Sequence, residues 1–505
     1  MSSPPDIEVL VVGAGPVGCW VAAELCAAGV RVMVVEAREN RAAWSRGFVV
    51  HPRTLEIFDS RGAAAPMLAA SRRLPTWHFA MGASRLDFSV LPTSFPHILL
   101  QPQAQTEETL EEHLNRCGGE VLRGRRVVDV RQQADRVVAT VRHNGAEQSV
   151  GARFVVGCDG AHSTVRETAG IGFSGTPDTL LSPAALVELK DPPPPERYLQ
   201  GNEQGLLFVI PLPDGRFVVS TIDHAVMTDL SKPWTAEMVR ESLIRITGTD
   251  YGLGEVERVS TIGNSALQAD RYRDGRVLLA GDAAHVHFPM GGQGMNLGIQ
   301  DAHNLAWRLI AAVRSERDGG SPDTVNELLD GYEAERRPAG ERVLEDVHAQ
   351  MGLVAATGAD GAALRIRFEA LLAEHPAVNL QYARRLSGIA VRYPTAQDGD
   401  GDDTENITDA RLGARVPDLL LERDGAPPVR LYELLREIGP GRFVRLTVGG
   451  PADGADGAED DPEDDAAVVT ATAVTGPAWA LRDRWDTPGS VLIRPDGHVA
   501  EARTW

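Results

Sequence analysis

Cysteine is nearly absent. The chain of 505 residues holds four, Cys19, Cys26, Cys117 and Cys158, irregularly spaced and never as CxxC. That excludes a disulfide framework and makes a reducing compartment the default. Lysine is scarcer still: Lys190 and Lys232 stand alone, and every other basic residue is arginine. This reads as codon bias in a GC-rich genome. No apolar run approaches the roughly 18 residues that span a bilayer. The start, MSSPPDIEVL, lacks the basic region of a signal peptide and enters a strand directly. A cytoplasmic location is expected. Positive charge is in deficit, with a net charge of −21, which argues against nucleic acid and anionic membrane as partners. Several catalytic signatures are missing too: no GxSxG elbow, no WxWxIP, and no tyrosine four residues before either lysine.

What is present lies in three distant segments. Val9–Gly18 reads VLVVGAGPVG, an apolar strand running into Gly13, Gly15 and Gly18. In a GxGxxG turn the first glycine permits the bend, the second lets backbone approach a pyrophosphate, and the third lets helix pack on strand. Pro16–Ala28 reads as the following helix and Val30–Glu36 as the next strand. Glu36, 18 residues after Gly18, is placed to accept from an adenosine ribose. Its charge would repel a 2′-phosphate, so FAD or NAD fits. Val155–Arg166, VVGCDGAHSTVR, sets Asp159–Gly160 after an apolar strand, where a turn and a ligand contact read equally well. Val277–Asn296, VLLAGDAAHVHFPMGGQGMN, ends a strand at Gly281–Asp282; this carboxylate suits sugar or ribityl hydroxyls, or an N-cap. The stretch Pro289–Asn296 opens a helix. Its glycines let a flat ligand rest on backbone amides, where the helix N-terminus stabilises negative charge.

The length exceeds one typical core, so two or three domains are expected. Thr54–Asp59 and Glu107–Cys117 look helical; Val121–Thr140 and Phe154–Val156 look extended. From about Ser174 to Asp270 short β-rich runs suggest an inserted antiparallel sheet. Long helical patterns follow: from Asn296 to Val313, Asn326 to Arg342, and Ala362 to Leu386. The expected division is an FAD-binding domain (1–75, 98–173 and 271–395), a substrate-binding β-sheet domain (76–97 and 174–270), an acidic linker (396–411) and a C-terminal unit (412–505). Asp398, Asp400 and Asp402 mimic a calcium loop, but Asp403 stands at its glycine position and Asp409 at its glutamate position. His285 and His287 lack further ligands nearby, so no metal is expected.

Together the stretches GAGPVG, VVGCDGAHSTVR, RYRDGRVLLAGDAAHVHFPMGGQGMNLGIQDAHNLAWRL and VLIRPDGHVA resemble the group A flavoprotein monooxygenases. These are single-component FAD aromatic hydroxylases, and the likeness is to the aromatic polyketide hydroxylase and rifampicin monooxygenase branch. It implies an α/β fold: a Rossmann-like FAD-binding domain of the p-hydroxybenzoate hydroxylase type, an inserted antiparallel sheet, and a thioredoxin-like C-terminal domain without redox cysteines. Packing or dimerisation remains for that last domain, which leaves room for a homodimer.

The resemblance implies FAD as cofactor, with NADPH as a transient co-substrate and O2, and a flavin C4a-hydroperoxide as the hydroxylating species. The cofactor residues it implies are Gly13, Ala14, Gly15, Pro16, Val17, Gly18, Glu36, Ala37, Arg38, Arg46, Gln103, Val127, Asp159, Asp282, Pro289, Gly292, Gly294, Met295 and Asn296. Candidate pocket residues are His78, Phe79, Phe88, Phe95, His97, Phe208, Phe288 and Met290; aromatics at strand spacing also read as core. Arg46, His97 and His224 are the candidates for a catalytic side chain, although the flavin carries the chemistry. Val49 stands where relatives often carry glycine, which would restrict flavin movement. The expected reaction is hydroxylation of a bulky aromatic polyketide-type substrate. The alternatives are Baeyer–Villiger or antibiotic-inactivating oxygenation, and a flavoprotein that sequesters a reactive intermediate without turnover.

Overall fold

A run of five buried residues places Ile7–Val12 at the centre of a parallel sheet. Such strands are apolar on both faces because helices cover both. In the computed structural model, which describes residues 7–41, 47–212, 214–394, 409, 411–423, 426–448, 468–475, 485 and 488–504, the parallel core runs Val277–Leu279, Ala146–Gly157, Ile7–Val12, Val32–Glu36, Val121–Arg123. Strand Ala146–Gly157 has 12 residues because it serves twice. Its first half pairs antiparallel with Val137–His143, its second half parallel with Ile7–Val12. Helix Pro16–Ala27 packs against Gly294–Arg317 and against Gln103–Arg116.

Several element bounds differ from the sequence expectation. Helix Gln103–Arg116 starts four residues earlier, directly after Pro102, whose fixed φ suits an N-cap. Val121–Thr140 is not one strand: Gly124, at φ +69°, and the turn near Asp135 divide it. One helix spans Pro322–Ala355 and continues through Pro338, where the buried Glu335, Arg336, Ala339 and Gly340 hold it against its neighbours. The expected helix to Leu386 is two, Gly358–Glu374 and Pro376–Leu386. His375, before a proline, avoids the helical region at φ −120°, ψ 91°.

Residues 181–263 hold a five-stranded antiparallel sheet ordered Leu199–Asn202, Gly205–Pro211, Phe217–Asp223, Leu181–Leu189, Leu253–Gly263. Strand alternation divides its side chains. Ala185, Val187, Leu207, Val209 and Val219 pack with residues of helix Ala236–Thr247. Leu186, Phe208, Ile210 and Val218 point the other way, toward Phe48 and Leu100. On that same face Leu206 and Ile222 join Phe288 and Met290 in one apolar cluster.

The C-terminal unit is thioredoxin-like. A six-stranded mixed sheet has Phe443–Val448 parallel to Val468–Thr475 and antiparallel to Gly489–Ile493, with helix Leu431–Ile438 beside it. Its turn at Arg494–His498 docks into the main body through buried polar groups. Arg494 donates to Glu335 at 2.6 and 2.9 Å, Asp496 accepts from Trp307 and Asn304 at 3.2 and 3.3 Å, and Arg53 donates to the Asp496 carbonyl at 2.9 Å. The acidic linker lies outside the described residues except for Asp409 and Arg411, which pair with one another. No described helix is long and apolar enough to cross a membrane.

Candidate flavin site

Register brings the three motifs to one edge. Val12 lies beside Gly157, and Gly157 beside Leu279, all on parallel strands. The loops that follow, at Gly13, Cys158 and Ala280, therefore leave the sheet side by side. In open α/β sheets this carboxyl edge is where ligands bind. Gly13 turns the chain at φ +99°, and a Cβ there would meet the Cys158 carbonyl oxygen at 2.4 Å. At Gly18 a Cβ would sit 1.9 Å from the Gly13 oxygen. Gly15 differs: a Cβ there meets no protein atom within 4 Å, so its backbone faces open space. It also caps helix Pro16–Ala27, with no side chain closing the helix end. The first-turn N–H groups are thus left for an anion.

Glu36 closes the second strand and is buried. It accepts from the N–H of Ala14 at 2.9 Å and of Arg38 at 2.9 Å, and from Arg38 Nε at 3.2 Å. Burial alone would raise its pKa; these donors outweigh burial and hold it below the usual range. A carboxylate so ionised keeps lone pairs for a hydroxyl donor. Ala37 is half-buried after it, and Arg38 is exposed. Asp159 accepts from Ser163 Oγ at 2.5 Å and Val165 N at 3.2 Å, and burial raises its pKa. Asp282 is exposed on a short 3-10 turn beyond Gly281. Gly281, at φ +64°, lies tight against Val17.

The glycine-rich loop is stapled from a distance. Asn296 Oδ1 accepts from His51 N at 2.8 Å; its Nδ2 donates to the carbonyls of Val49 at 3.1 Å and Gly292 at 2.8 Å. His51 Nε2 meets the Gly291 carbonyl at 2.9 Å, and burial lowers its pKa to about 4. Gly291 and Gly292 take φ of +71° and +75°, and Val49 Cγ2 would lie 2.0 Å from a Cβ at Gly292. Helix Gly294–Arg317 begins without a side-chain cap. At its start, the buried Gln293 Nε2 and His287 Nε2 have no hydrogen-bond partner among the described residues. Pro289 is exposed and Met295 half-buried beside this end.

Other expected residues scatter. Gln103 N bonds the Gly47 carbonyl, and its side chain donates to Glu107 at 2.9 Å. Val127 is core, in register with Val141. Arg46 lies outside the described residues. Phe79, Phe88, Phe288 and Met290 share one buried cluster, with Phe79 packed on Phe368 and Tyr382. His78 and Phe208 meet at 5.6 Å between ring centroids. Phe95 belongs to the main core and sits 6.3 Å from His97, whose pKa falls through burial and the nearby Arg73. Both ring nitrogens of His224 lie against carbonyls, of Glu203 at 3.1 Å and Val354 at 3.2 Å, far from the role of a free base. Sequence reasoning passed over His51, Gln293, Phe48 and Trp77. Phe48 and His51 flank Val49, and Gln293 sits within the Pro289–Asn296 stretch; Trp77 alone of these four carries no local signal.

The fit to a dinucleotide is direct: an open backbone approach at Gly15, two uncapped helix ends, an ionised carboxylate after the second strand, and unpartnered polar atoms at the glycine-rich loop. Comparison with known proteins agrees. The FAD binding domain family matches residues 6–347, and the aromatic-ring hydroxylase C-terminal family matches residues 409–504. An uncharacterized aromatic compound monooxygenase of Bacillus subtilis is 40% identical over 498 residues, 98% of this chain and 94% of that one. A rifampicin monooxygenase of Rhodococcus hoagii is 35% identical over 499 residues, covering 98% and 94%. Among solved structures, anhydrotetracycline hydroxylase from Streptomyces rimosus superposes with a TM-score of 0.83 at 35% identity, covering 98% and 95%. The chain belongs to the FAD-binding family of aromatic-ring hydroxylases, in its polyketide hydroxylase and rifampicin monooxygenase branch, and is a flavin-dependent monooxygenase.

Proposed function

We propose that this enzyme uses FAD, NADPH and O2 to hydroxylate a bulky aromatic polyketide-type natural product. One observation carries the reading. The second face of the five-stranded sheet presents Phe208, Ile210 and Leu186, and on the same face Leu206 and Ile222 share a buried apolar cluster with Phe288 and Met290 of the glycine-rich loop. A large apolar surface thus stands against the place built for a flat anionic ring. Relatives on either side of the comparison act on tetracycline and rifamycin scaffolds by name, which supports a polycyclic substrate here.

In this reading Gly15 and the Pro16–Ala27 helix end hold the pyrophosphate, Glu36 the ribose and Asp282 the ribityl chain. Bound FAD supplies oxygen activation and transfer of one oxygen atom to the ring. The Gly294 helix end stabilises negative charge on the reduced ring system. The sheet face excludes water and holds the aromatic substrate in line. Only the GxGxxG at Gly13–Gly18 joins a strand to a helix, whereas the match at Gly170–Gly175 runs into strand Phe173–Thr176, so NADPH would dock transiently on the flavin domain.

The test is NADPH consumption by holoprotein across anthracycline, angucycline, tetracycline and ansamycin scaffolds, with H2O2 followed and products weighed. Substrate-stimulated oxidation with a gain of one oxygen at an aromatic carbon is expected. Insertion into a carbon–carbon bond would indicate Baeyer–Villiger chemistry. Binding without stimulation would indicate sequestration.

A further inference from the structure

The segment Thr76–Met81 runs beside Phe208, and its backbone is strained. Ala80 and Met81 hold φ of +49° and +55°. In this left-handed region a Cβ crowds the following carbonyl oxygen. Two consecutive non-glycine residues stay there only where the surroundings impose it. Here the Ala80 N–H donates to Oε1 of the fully buried Gln350 at 3.1 Å, and the Met81 N–H donates to Nδ1 of His78 at 3.3 Å. The second bond fixes a tautomer: Nδ1 accepts, so the neutral ring carries its proton on Nε2. Burial lowers the His78 pKa to about 3, which keeps the ring neutral.

The Trp77 ring lies 4.8 Å from that of His78. Both meet Phe208 edge-on, at 6.2 Å and 79° and at 5.6 Å and 69°. Trp77 Nε1 is buried and has no acceptor among the described residues. Such a donor has given up its hydration without a replacement hydrogen bond. A strained turn and an unpaired indole N–H therefore converge on one aromatic surface, at the side of the sheet that faces Phe48 and Leu100.

We infer that Trp77 Nε1–H and His78 Nε2–H form a paired donor site for carbonyl oxygens on the edge of a polycyclic aromatic substrate lying against Phe208. This deepens the proposed function and rests on it. Phe208 supplies the apolar contact common to any fused ring system. The two donors supply orientation, and they penalise an analogue that leaves them unpaired.

The test uses holoprotein in the oxidised state and two soluble probes with the same handle, anthraquinone-2-sulfonate and anthracene-2-sulfonate, titrated calorimetrically. Wild type should prefer the quinone about tenfold. Trp77→Phe should weaken the quinone about 5- to 10-fold, the equivalent of one lost hydrogen bond, and leave the hydrocarbon unchanged. His78→Phe should narrow the preference independently, and Phe208→Leu should weaken both probes alike. FAD affinity should be unchanged in all three. A preference that survives both donor variants overturns the assignment. Wild type that retains FAD and binds neither probe overturns the polycyclic-substrate reading, and this site with it.

Discussion

Gly15 and Gly18 occupy the same turn, yet their replacement by alanine should fail for opposite reasons. At Gly18 the added methyl would lie 1.9 Å from the Gly13 carbonyl oxygen. Both groups are backbone-bound, so strand and helix must part by more than an ångström. Overpacking of this kind costs about 1–3 kcal/mol or more. Gly18→Ala should therefore unfold earlier even without flavin. At Gly15 the methyl meets nothing within 4 Å, and φ of −72° suits any residue. Loss of a glycine N-cap and the gain from a less flexible unfolded chain each amount to about 0.5–1 kcal/mol and oppose one another. The apoprotein should then melt within about 3 °C of wild type. The methyl instead fills the approach to the free N–H groups of Val17 and Gly18. Charge-assisted bonds of that kind contribute about 1.5–3 kcal/mol each. Losing two weakens FAD by at least about 100-fold. Thermal melts of the apoproteins and fluorescence titration with FAD separate the two effects. Wild-type FAD affinity in Gly15→Ala would refute the placement of the pyrophosphate.

Three further outcomes follow from the same contacts. Asn296→Ala removes two buried hydrogen bonds from the glycine-rich loop to the Val49–His51 segment and a third, part-buried, within the loop; it should cost about 2–4 kcal/mol in urea unfolding and speed FAD dissociation measured by stopped flow. Asp496→Ala leaves Arg494 and Arg308 sharing Glu335 alone. It should cost about 3–5 kcal/mol and expose the C-terminal unit to limited proteolysis while the flavin stays bound. Acid should destabilise the protein well above the carboxylate range. Burial lowers His51, His287 and His498 to about 4 and His78 to about 3, whereas an unfolded histidine takes its proton near pH 6.5. Below pH 6.5 the unfolded chain therefore binds more protons, and stability falls until the folded rings titrate near pH 4. Each histidine contributes up to about 1.4 kcal/mol per pH unit across that window. A melting temperature that stays flat between pH 7 and 5 would contradict their burial as neutral rings.

Why does the geometry of the first βαβ turn show in the chain when the contacts that hold the glycine-rich loop do not? Gly13, Gly15, Gly18 and Glu36 sit within one βαβ unit, where local spacing dictates geometry. The clash at Gly18, with the Gly13 oxygen, and the open approach at Gly15 follow from that unit alone, while the clash at Gly13 is with the Cys158 carbonyl of the neighbouring strand. The staple from Asn296 to His51 joins residues 245 apart, and the His51 bond to Gly291 joins residues 240 apart. No periodicity marks such a pair; it exists only once the sheet has set Val12, Gly157 and Leu279 in register. Trp77 was hidden for a related reason. Its segment carries no glycine at Ala80 or Met81 to announce the left-handed turn, because Gln350 imposes it from a helix 270 residues away. The helix expected over Asn326–Arg342 does run through Pro338, because the tertiary cover of Arg336 and Ala339 overrides the proline's tendency to end it; its full extent, Pro322–Ala355, goes beyond the expected bounds. Local chemistry thus governs the turn after the first strand, while long-range packing governs the glycine-rich loop and the Trp77–Met81 segment. That division implies a consequence for relatives of this fold. Exchanging the Trp77–Met81 segment without its Gln350 partner should transfer neither the turn nor the donor geometry, whereas the GAGPVG turn should remain functional in any βαβ unit that keeps its helix and its acidic strand end.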